Sequence, residues 1–178
     1  KGLFKAAYYD PNPVVMLEHK GLYWSKVPGT EAAKTIEPAE DYILPFGKAN
    51  IVLQPDSSEV EKGRTLVVVT YGMGVFWAQE AAKLFPGQVE IIDLRTLIPL
   101  DENLVFERVK LHGRCLVLTE EQIQNSFAEA LAFRITNECF KHLDAPVEAL
   151  GSLNVPAVPI NVVLEQTMLP NPQKVAEK

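Results

Sequence analysis

The chain of 178 residues sets 17 Lys and Arg against 23 Asp and Glu, a formal charge of −6, and its pI is near 5.1. A net-acidic surface repels polyanions, which excludes nucleic acid or anionic membrane as the main partner. The 47% hydrophobic and 22% charged content is that of a globular protein able to bury a core.

In chain order, residues 2–9 have helix-forming composition with Leu3, Phe4, Ala7 and Tyr8 on one side. The chain opens at Lys1 inside helix-forming sequence, as expected of a piece of a longer protein. Asp10-Pro11-Asn12-Pro13 stops the helix, since two prolines cannot continue it. Val14-Val15-Met16-Leu17 is a candidate buried strand running into Glu18-His19-Lys20. Residues 21–45 read as a long irregular connection, broken by Pro28, Gly29 and Pro38, with Glu37, Glu40 and Asp41 as an acidic patch. The main domain begins near Phe46-Gly47-Lys48. Residues 49–53 suit an edge strand, and residues 55–63 a polar loop tipping a hairpin.

A regular alternation then sets in. Leu66 to Val69 is a continuous apolar run, mostly β-branched, as in a strand buried on both faces. It stops at Tyr71-Gly72-Met73-Gly74, and helical spacing follows over residues 75–85 at Ala78, Ala81, Ala82 and Phe85. Residues 89–94 form the next strand, and Asp101 is placed to cap a helix with Leu104, Val105 and Val109 facing inward. Residues 115–118 form the third strand of the run. Ser126-Phe-Ala-Glu129 reads as a capping box for a helix with Phe127, Leu131, Ile135 and Cys139 at intervals of four. Residues 147–150 are the last strand, and Asn171-Pro172 starts a short terminal helix. The fold class that follows is α/β, three αβα layers around a mainly parallel sheet.

Possible chemistry is sparse. Gly72-x-Gly74 after a strand, with Asp93 ending the next strand, has the spacing of a dinucleotide fingerprint. That reading makes the chain a nucleotide-binding enzyme taking NAD. Against it, Trp77 occupies the third glycine's position and is expected to hold the helix off the strand. The alternative is that both glycines turn the chain and Asp93 is a paired or capping carboxylate. Glu120 and Glu121 follow a strand at the carboxyl edge but point to opposite faces, which unfits them for concerted acid–base work; charges facing the helix from Ser126 are the alternative. His112 precedes Gly113 at a helix end, His142 is a surface residue, and His19 beside Glu18 and Lys20 ends the candidate strand. Cys115 and Cys139 are isolated and expected to be buried, as in a reducing cytosol. The residues show no catalytic constellation.

Longer strings carry a resemblance. Asp10-Pro-Asn-Pro-Val-Val-Met-Leu-Glu-His-Lys-Gly-Leu-Tyr23, Tyr42-Ile-Leu-Pro-Phe-Gly-Lys48, Asp93-Leu-Arg-Thr-Leu-Ile-Pro-Leu-Asp101, Gly113-Arg-Cys-Leu-Val-Leu-Thr-Glu-Glu121 and Leu169-Pro-Asn-Pro172 resemble the beta subunits of thiamine-diphosphate-dependent 2-oxo acid dehydrogenases, of branched-chain or pyruvate type. The resemblance covers nearly the whole chain. It implies that residues 1–45 are the tail of a pyrimidine-binding domain with its linker. Residues 46–178 would be a transketolase C-terminal-type domain with a five-stranded mixed sheet and one antiparallel edge strand. The family's thiamine diphosphate and magnesium, with the glutamate and histidine that serve them, would belong to sequence before Lys1, so neither catalytic nor cofactor residues are expected here. Ala7, Asp10 and Asn12 match a carbonyl loop that binds potassium in some branched-chain relatives, at most half of that site. Gln124-Asn-Ser-Phe-Ala128 departs from the glycine pair many relatives carry there. Implied partners are an alpha subunit or alpha-like domain, a second beta chain about a two-fold axis, and the dihydrolipoyl acyltransferase core. Glu138 and Asp144 are candidates to meet that core's basic docking module. Asp101 and Ser126 are read as caps, Arg95 as a paired or interface residue, and the location as cytoplasmic, or the mitochondrial matrix in a eukaryote.

Overall fold

The computed structural model describes residues 1–24 and 27–178. Among them, five strands form one sheet in the order β1-β3-β2-β4-β5. These are β1 (Asn50–Leu53), β2 (Leu66–Thr70), β3 (Val89–Asp93), β4 (Cys115–Gln122) and β5 (Glu148–Ser152). β2 pairs parallel with β3 and β4, β4 pairs parallel with β5, and β1 lies antiparallel on β3 at one edge. The expected mixed sheet with one antiparallel edge strand is therefore present.

Side-chain alternation divides the core in two. Val67, Val69, Ile92, Cys115 and Val117 face α5 (Glu102–His112) and α6 (Phe127–Cys139). Val68, Ile91, Leu116 and Leu118 face α4 (Met73–Ala82) and α8 (Pro172–Ala176). Helices cover both faces, so the central strands carry apolar residues at successive positions. Leu131 and Ile135 on α6 are almost completely buried, and each such side chain contributes about 2 kcal/mol of transfer free energy.

The helix ends follow the capping chemistry of their residues. Asp101 Oδ1 accepts from Leu104 N at 3.4 Å, and Ser126 Oγ accepts from Glu129 N at 3.0 Å. The return bond of the capping box falls one residue early, Asn125 N donating to Glu129 Oε2 at 2.7 Å. Asn171 Oδ1 accepts from Lys174 N at 2.9 Å. Lys174 Nζ donates to the carbonyls of Gln166, Thr167 and Leu169 at 3.2, 2.7 and 2.6 Å. It thereby satisfies the open carbonyl end of α7 (Val162–Met168), a helix the sequence reading missed.

Several expectations are corrected. Residues 55–63 do not tip a hairpin: Ser57–Glu61 is a helix, α3, and β1 pairs with β3 rather than with β2. The polar run Asp56-Ser-Ser-Glu59 suits a helix start as well as a loop. α4 begins at Met73, two residues before the expected start, and ends at Ala82, three before the expected end. Val14 to Leu17 form no strand; Val15 is 86% and Leu17 88% exposed. A strand needs a neighbour for its amides, and no strand of the sheet pairs with this segment. His19 accordingly does not end a strand but stands at the N-cap position of the helical turn α2 (Lys20–Tyr23), with no side-chain capping bond. α1 (Gly2–Tyr9) forms as expected, yet Phe4 and Tyr8 on its apolar side are exposed. The connection over residues 21–45 holds α2 and a short turn at Glu31–Ala33; its residues 25 and 26 lie outside the described ones.

Candidate functional site

In sheets of this kind the site lies at the carboxyl ends of the strands, where the direction of strand addition reverses. Here the chain steps from β2 outward to β3, then returns across β2 to β4. The crevice is thus between the carboxyl ends of β2 and β4. Tyr71, the residue after β2, bridges it. Its hydroxyl lies 2.8 Å from Thr119 Oγ1 and donates to Glu121 Oε1 at 3.2 Å. Thr119 Oγ1 accepts from Glu121 N at 3.3 Å, so the Thr119 hydroxyl proton is left for Tyr71 and the circuit closes. Glu121 Oε1 also accepts from Ala128 N at 3.3 Å, in the first turn of α6. The Tyr71 ring meets Phe127 edge-on at 6.0 Å and 81°. Burial, the largest influence, pushes the Tyr71 hydroxyl up to about 12, helped by the Glu121 charge and opposed by the Thr119 hydrogen bond. The crevice is filled by a neutral phenol.

The two glutamates part company as strand alternation requires. Glu121 faces α6, and Glu120 emerges on the other face, its Oε2 3.2 Å from His19 Nε2. Ser152 Oγ donates to the Glu120 carbonyl. The adjacent Gly21 leaves room for the imidazole, because a Cβ there would stand 3.0 Å from His19 Cε1. Among the described residues, the buried His19 Nδ1 finds no hydrogen-bond partner. The pair ties the amino-terminal segment to the carboxyl edge.

Gly72, Gly74 and Asp93 do not assemble into a phosphate cradle. Gly72 turns the chain at φ 58°, open to left-handed backbone. Gly74 packs directly on β2, where any Cβ would fall on the Thr70 hydroxyl. Trp77 does not hold the helix off the strand, because the close approach occurs at Gly74 and the indole lies in the core beside Val68 and Leu118. Asp93 Oδ1 accepts from Arg95 N at 3.1 Å, within a turn that holds Arg95 at φ 58°. Burial raises the Asp93 carboxyl above its ordinary value, against the Arg95 amide and charge. It is the capping carboxylate of the alternative reading.

The remaining candidates lie apart from the crevice. Ala7 stands in the last turn of α1, where carbonyls lack intrahelical partners, and Asp10 Oδ1 accepts from Asn12 N and Nδ2 at 2.9 and 3.0 Å. Glu138 and Asp144 are both exposed. Among the described residues no three His, Cys, Asp or Glu side chains converge as a metal site. Cys115 and Cys139 are buried free thiols, and burial raises both above the usual thiol range.

One buried cluster escaped the sequence reading. Glu90, completely buried on β3, receives Arg108 Nε at 2.6 Å and the Arg108 Nη2 nitrogen. His112 Nε2 lies 3.4 Å from Glu90 Oε2, and His112 Nδ1 lies 2.7 Å from Thr65 Oγ1. The legible signal was a glutamate inside the apolar run Val89-Glu90-Ile91-Ile92, with Arg108 and His112 four apart on one face of α5. This cluster holds the sheet to α5; it lies away from the carboxyl edge.

Residues 57–175 match the family described as transketolase, C-terminal domain. The chain belongs to the transketolase C-terminal domain family. As a transketolase C-terminal domain it has close relatives among larger chains. It is 34% identical over 178 residues to the 2-oxoisovalerate dehydrogenase subunit beta of Bacillus subtilis, covering 98% of this chain and 50% of that protein. It is 36% identical over 180 residues to the pyruvate dehydrogenase E1 component subunit beta of Rhizobium meliloti, covering 99% of this chain and 36% of that protein. The chain thus spans half or less of the curated relatives it matches. A split gene transketolase, described as an inactive beta4 tetramer, superposes with TM-score 0.60 at 18% identity, over 78% of this chain and 43% of its own. That likeness is one of fold.

Proposed function

We propose that this transketolase C-terminal domain is the assembly-supporting part of the beta component of a thiamine-diphosphate-dependent 2-oxo acid dehydrogenase. The whole enzyme would decarboxylate a branched-chain 2-oxo acid or pyruvate and pass the acyl group to a lipoyl arm. The observation that carries this reading is that the alignment to beta subunits runs through residues before 57, outside the family match, and covers 98% and 99% of the chain. The crevice chemistry agrees with it: Tyr71, Glu121, Asp93 and Gly74 are all engaged in holding the domain together. Thiamine diphosphate and magnesium would be held by the upstream part. Ala7, Asp10 and Asn12 would lend carbonyls to a potassium site completed there. The alpha subunit and a second beta chain are the assembly partners in this proposal. Glu138 and Asp144 would face the basic docking module of the acyltransferase core, where complementary charge speeds encounter.

The test is reconstitution. The alpha subunit and the amino-terminal half of the beta chain, made separately, should decarboxylate 2-oxo acid only after this chain is added. Activity equally high without it overturns the assembly role. Calorimetric titration of the chain alone with thiamine diphosphate plus magnesium, and with NAD, should give no heat. Micromolar binding of either would place a cofactor site within these residues.

A further inference from the structure

The chain leaving β5 turns apolar side chains to solvent. Residues 153–164 contain no Asp, Glu, Lys or Arg, and neither do residues 122–128, from the end of β4 into α6. Leu153, Val158, Ile160, Val162, Val163 and Leu164 are each more than half exposed, Ile160 completely. A surface helix ordinarily buries its apolar residues and shows polar ones to water. α7 does the reverse at its start and buries only Met168, at its end. Exposures of this size amount to on the order of 700 Å² of surface, at or above the roughly 300–600 Å² of the largest apolar patch on a typical monomer.

The polar groups of these two runs are spent on holding them in place. Gln122 Nε2 donates to the Val155 carbonyl at 2.6 Å, and Asn154 Nδ2 donates to Gln124 Oε1. Asn161 Oδ1 accepts from Val163 N at 3.0 Å and Leu164 N at 3.3 Å, and Thr167 Oγ1 donates to the Val163 carbonyl at 2.9 Å. Leu153 N donates to the Met168 carbonyl at 3.1 Å, which ties the start of the run to the end of α7. The apolar side chains are therefore displayed from an anchored backbone, and a partner would meet them with little ordering left to do.

We infer that residues 153–164 are the surface on which a second copy of this chain docks. Two considerations select a copy. In a two-fold interface the same patch meets itself, so a charged patch repels its mate while an uncharged apolar one is complementary to itself. The chain carries a net −6, and two acidic copies approach most easily where neither brings a charge. The exposed area is also close to the roughly 800 Å² per partner that a stable interface buries. The inference rests on the second beta chain of the assembly reading and names the surface that such a chain would use.

Sedimentation equilibrium of the chain tests it. A monomer–dimer equilibrium with a micromolar Kd is expected, and Ile160→Asp with Val163→Asp should weaken it roughly ten-fold or more, because the dimer would bury unpaired carboxylates. Phe133→Asp, at an exposed apolar position on α6, should leave the dimer intact. If the aspartate pair does not fold, hydrogen exchange of the unaltered chain decides: residues 153–164 should gain protection as concentration rises. A chain monomeric up to about 1 mM, a dimer indifferent to the aspartate pair, or exchange there independent of concentration overturns the surface. Lost binding of the alpha subunit by the aspartate pair, with the chain itself monomeric, assigns the surface to that subunit and overturns the proposal too. These outcomes are separable from reconstitution of decarboxylation, whose failure would strike the assembly reading instead.

Discussion

Gly113 and Asp144 lock the end of α5 to the turn before β5. Asp144 N donates to Gly113 O at 2.8 Å, and a Cβ on Gly113 would stand 2.6 Å from Asp144 Oδ2. Gly113 also sits at φ 68° as the left-handed cap of α5. Gly113→Ala should therefore cost about 2 kcal/mol, read as a lower urea midpoint. Asp144→Asn keeps the fit and should leave that midpoint unchanged. It is the cleaner probe of docking, because Asp144→Lys alters shape and charge together. Weaker binding of the acyltransferase docking module by Glu138→Gln with Asp144→Asn is expected; unchanged affinity would remove both residues from that interface.

Acid should loosen the domain through Glu90. Burial, the largest influence, pushes its carboxyl up, but the proximity of His112 and the hydrogen bonds and charge of Arg108 together hold it below the ordinary glutamate value. A carboxyl depressed on folding stabilises fully above its unfolded value, near 4.5, and loses that contribution as pH falls through the folded value. Glu90→Gln should cost about 3 kcal/mol at neutral pH, since Arg108 loses its partner while largely buried. The difference between wild type and variant should shrink below pH 4.5. A constant difference across urea midpoints measured over that range would contradict it.

Tyr71 should ionise only well above the ordinary phenol value. Its hydroxyl is raised from 10.0 to about 12, so its neutral form stabilises fully below 10.0 and is lost as pH rises through about 12. Spectroscopic titration should show a high-pH phenolate step that Tyr71→Phe removes. If the step persists in Tyr71→Phe, the hydroxyl is not the group held in the crevice.

The His19–Glu120 pair should govern the local attachment of the amino-terminal segment rather than global stability. Both side chains are partly exposed, 29% and 37%, and such pairs are worth at most about 1 kcal/mol. Glu120→Gln should raise hydrogen exchange over residues 14–24 while leaving β2 and β4 protected. Unaltered exchange there would show that other contacts hold the segment.

The contact between Gly74 and Thr70 should tolerate no methyl group. Gly74→Ala should destabilise by about 2 kcal/mol, and adding Thr70→Ala should recover part of it, because the obstructing hydroxyl is gone and Thr70 Oγ1 has no hydrogen-bond partner among the described residues. A double-mutant cycle on thermal midpoints reads the coupling.

Three helix starts were legible from one side chain each, although α7 escaped even with Asn161 Oδ1 accepting from Val163 N and Leu164 N at its start. Asp101, Ser126 and Asn171 each cap within three residues, so the chemistry is local and the sequence contains all of it. Strand interiors were legible for the same kind of reason, since Val67, Val68 and Val69 leave no polar face for solvent. The misreadings arose where a local pattern needed a distant partner. Val14 to Leu17 announces a need for cover, and the sheet has no place for it. Asp56-Ser-Ser-Glu59 serves a turn or a helix equally, and the pairing of β1 with β3 decided which. In the crevice, Gly72, Gly74 and Asp93 had correct spacing for a nucleotide; their actual uses depend on Thr70 beneath Gly74 and the Arg95 amide beside Asp93.

By itself the sequence determined the alternation of strands and helices, the two-sided burial of the sheet, the caps, and the family, because these rest on periodicity and on strings of adjacent residues. Only the tertiary structure decided that Tyr71 closes the switch-point crevice, that Glu120 meets His19 while Glu121 meets Tyr71, and that the buried Glu90 pairs with Arg108. Each of these joins residues carried on different strands, helices or loops, and the strand order that brings them together is set by how the whole chain packs.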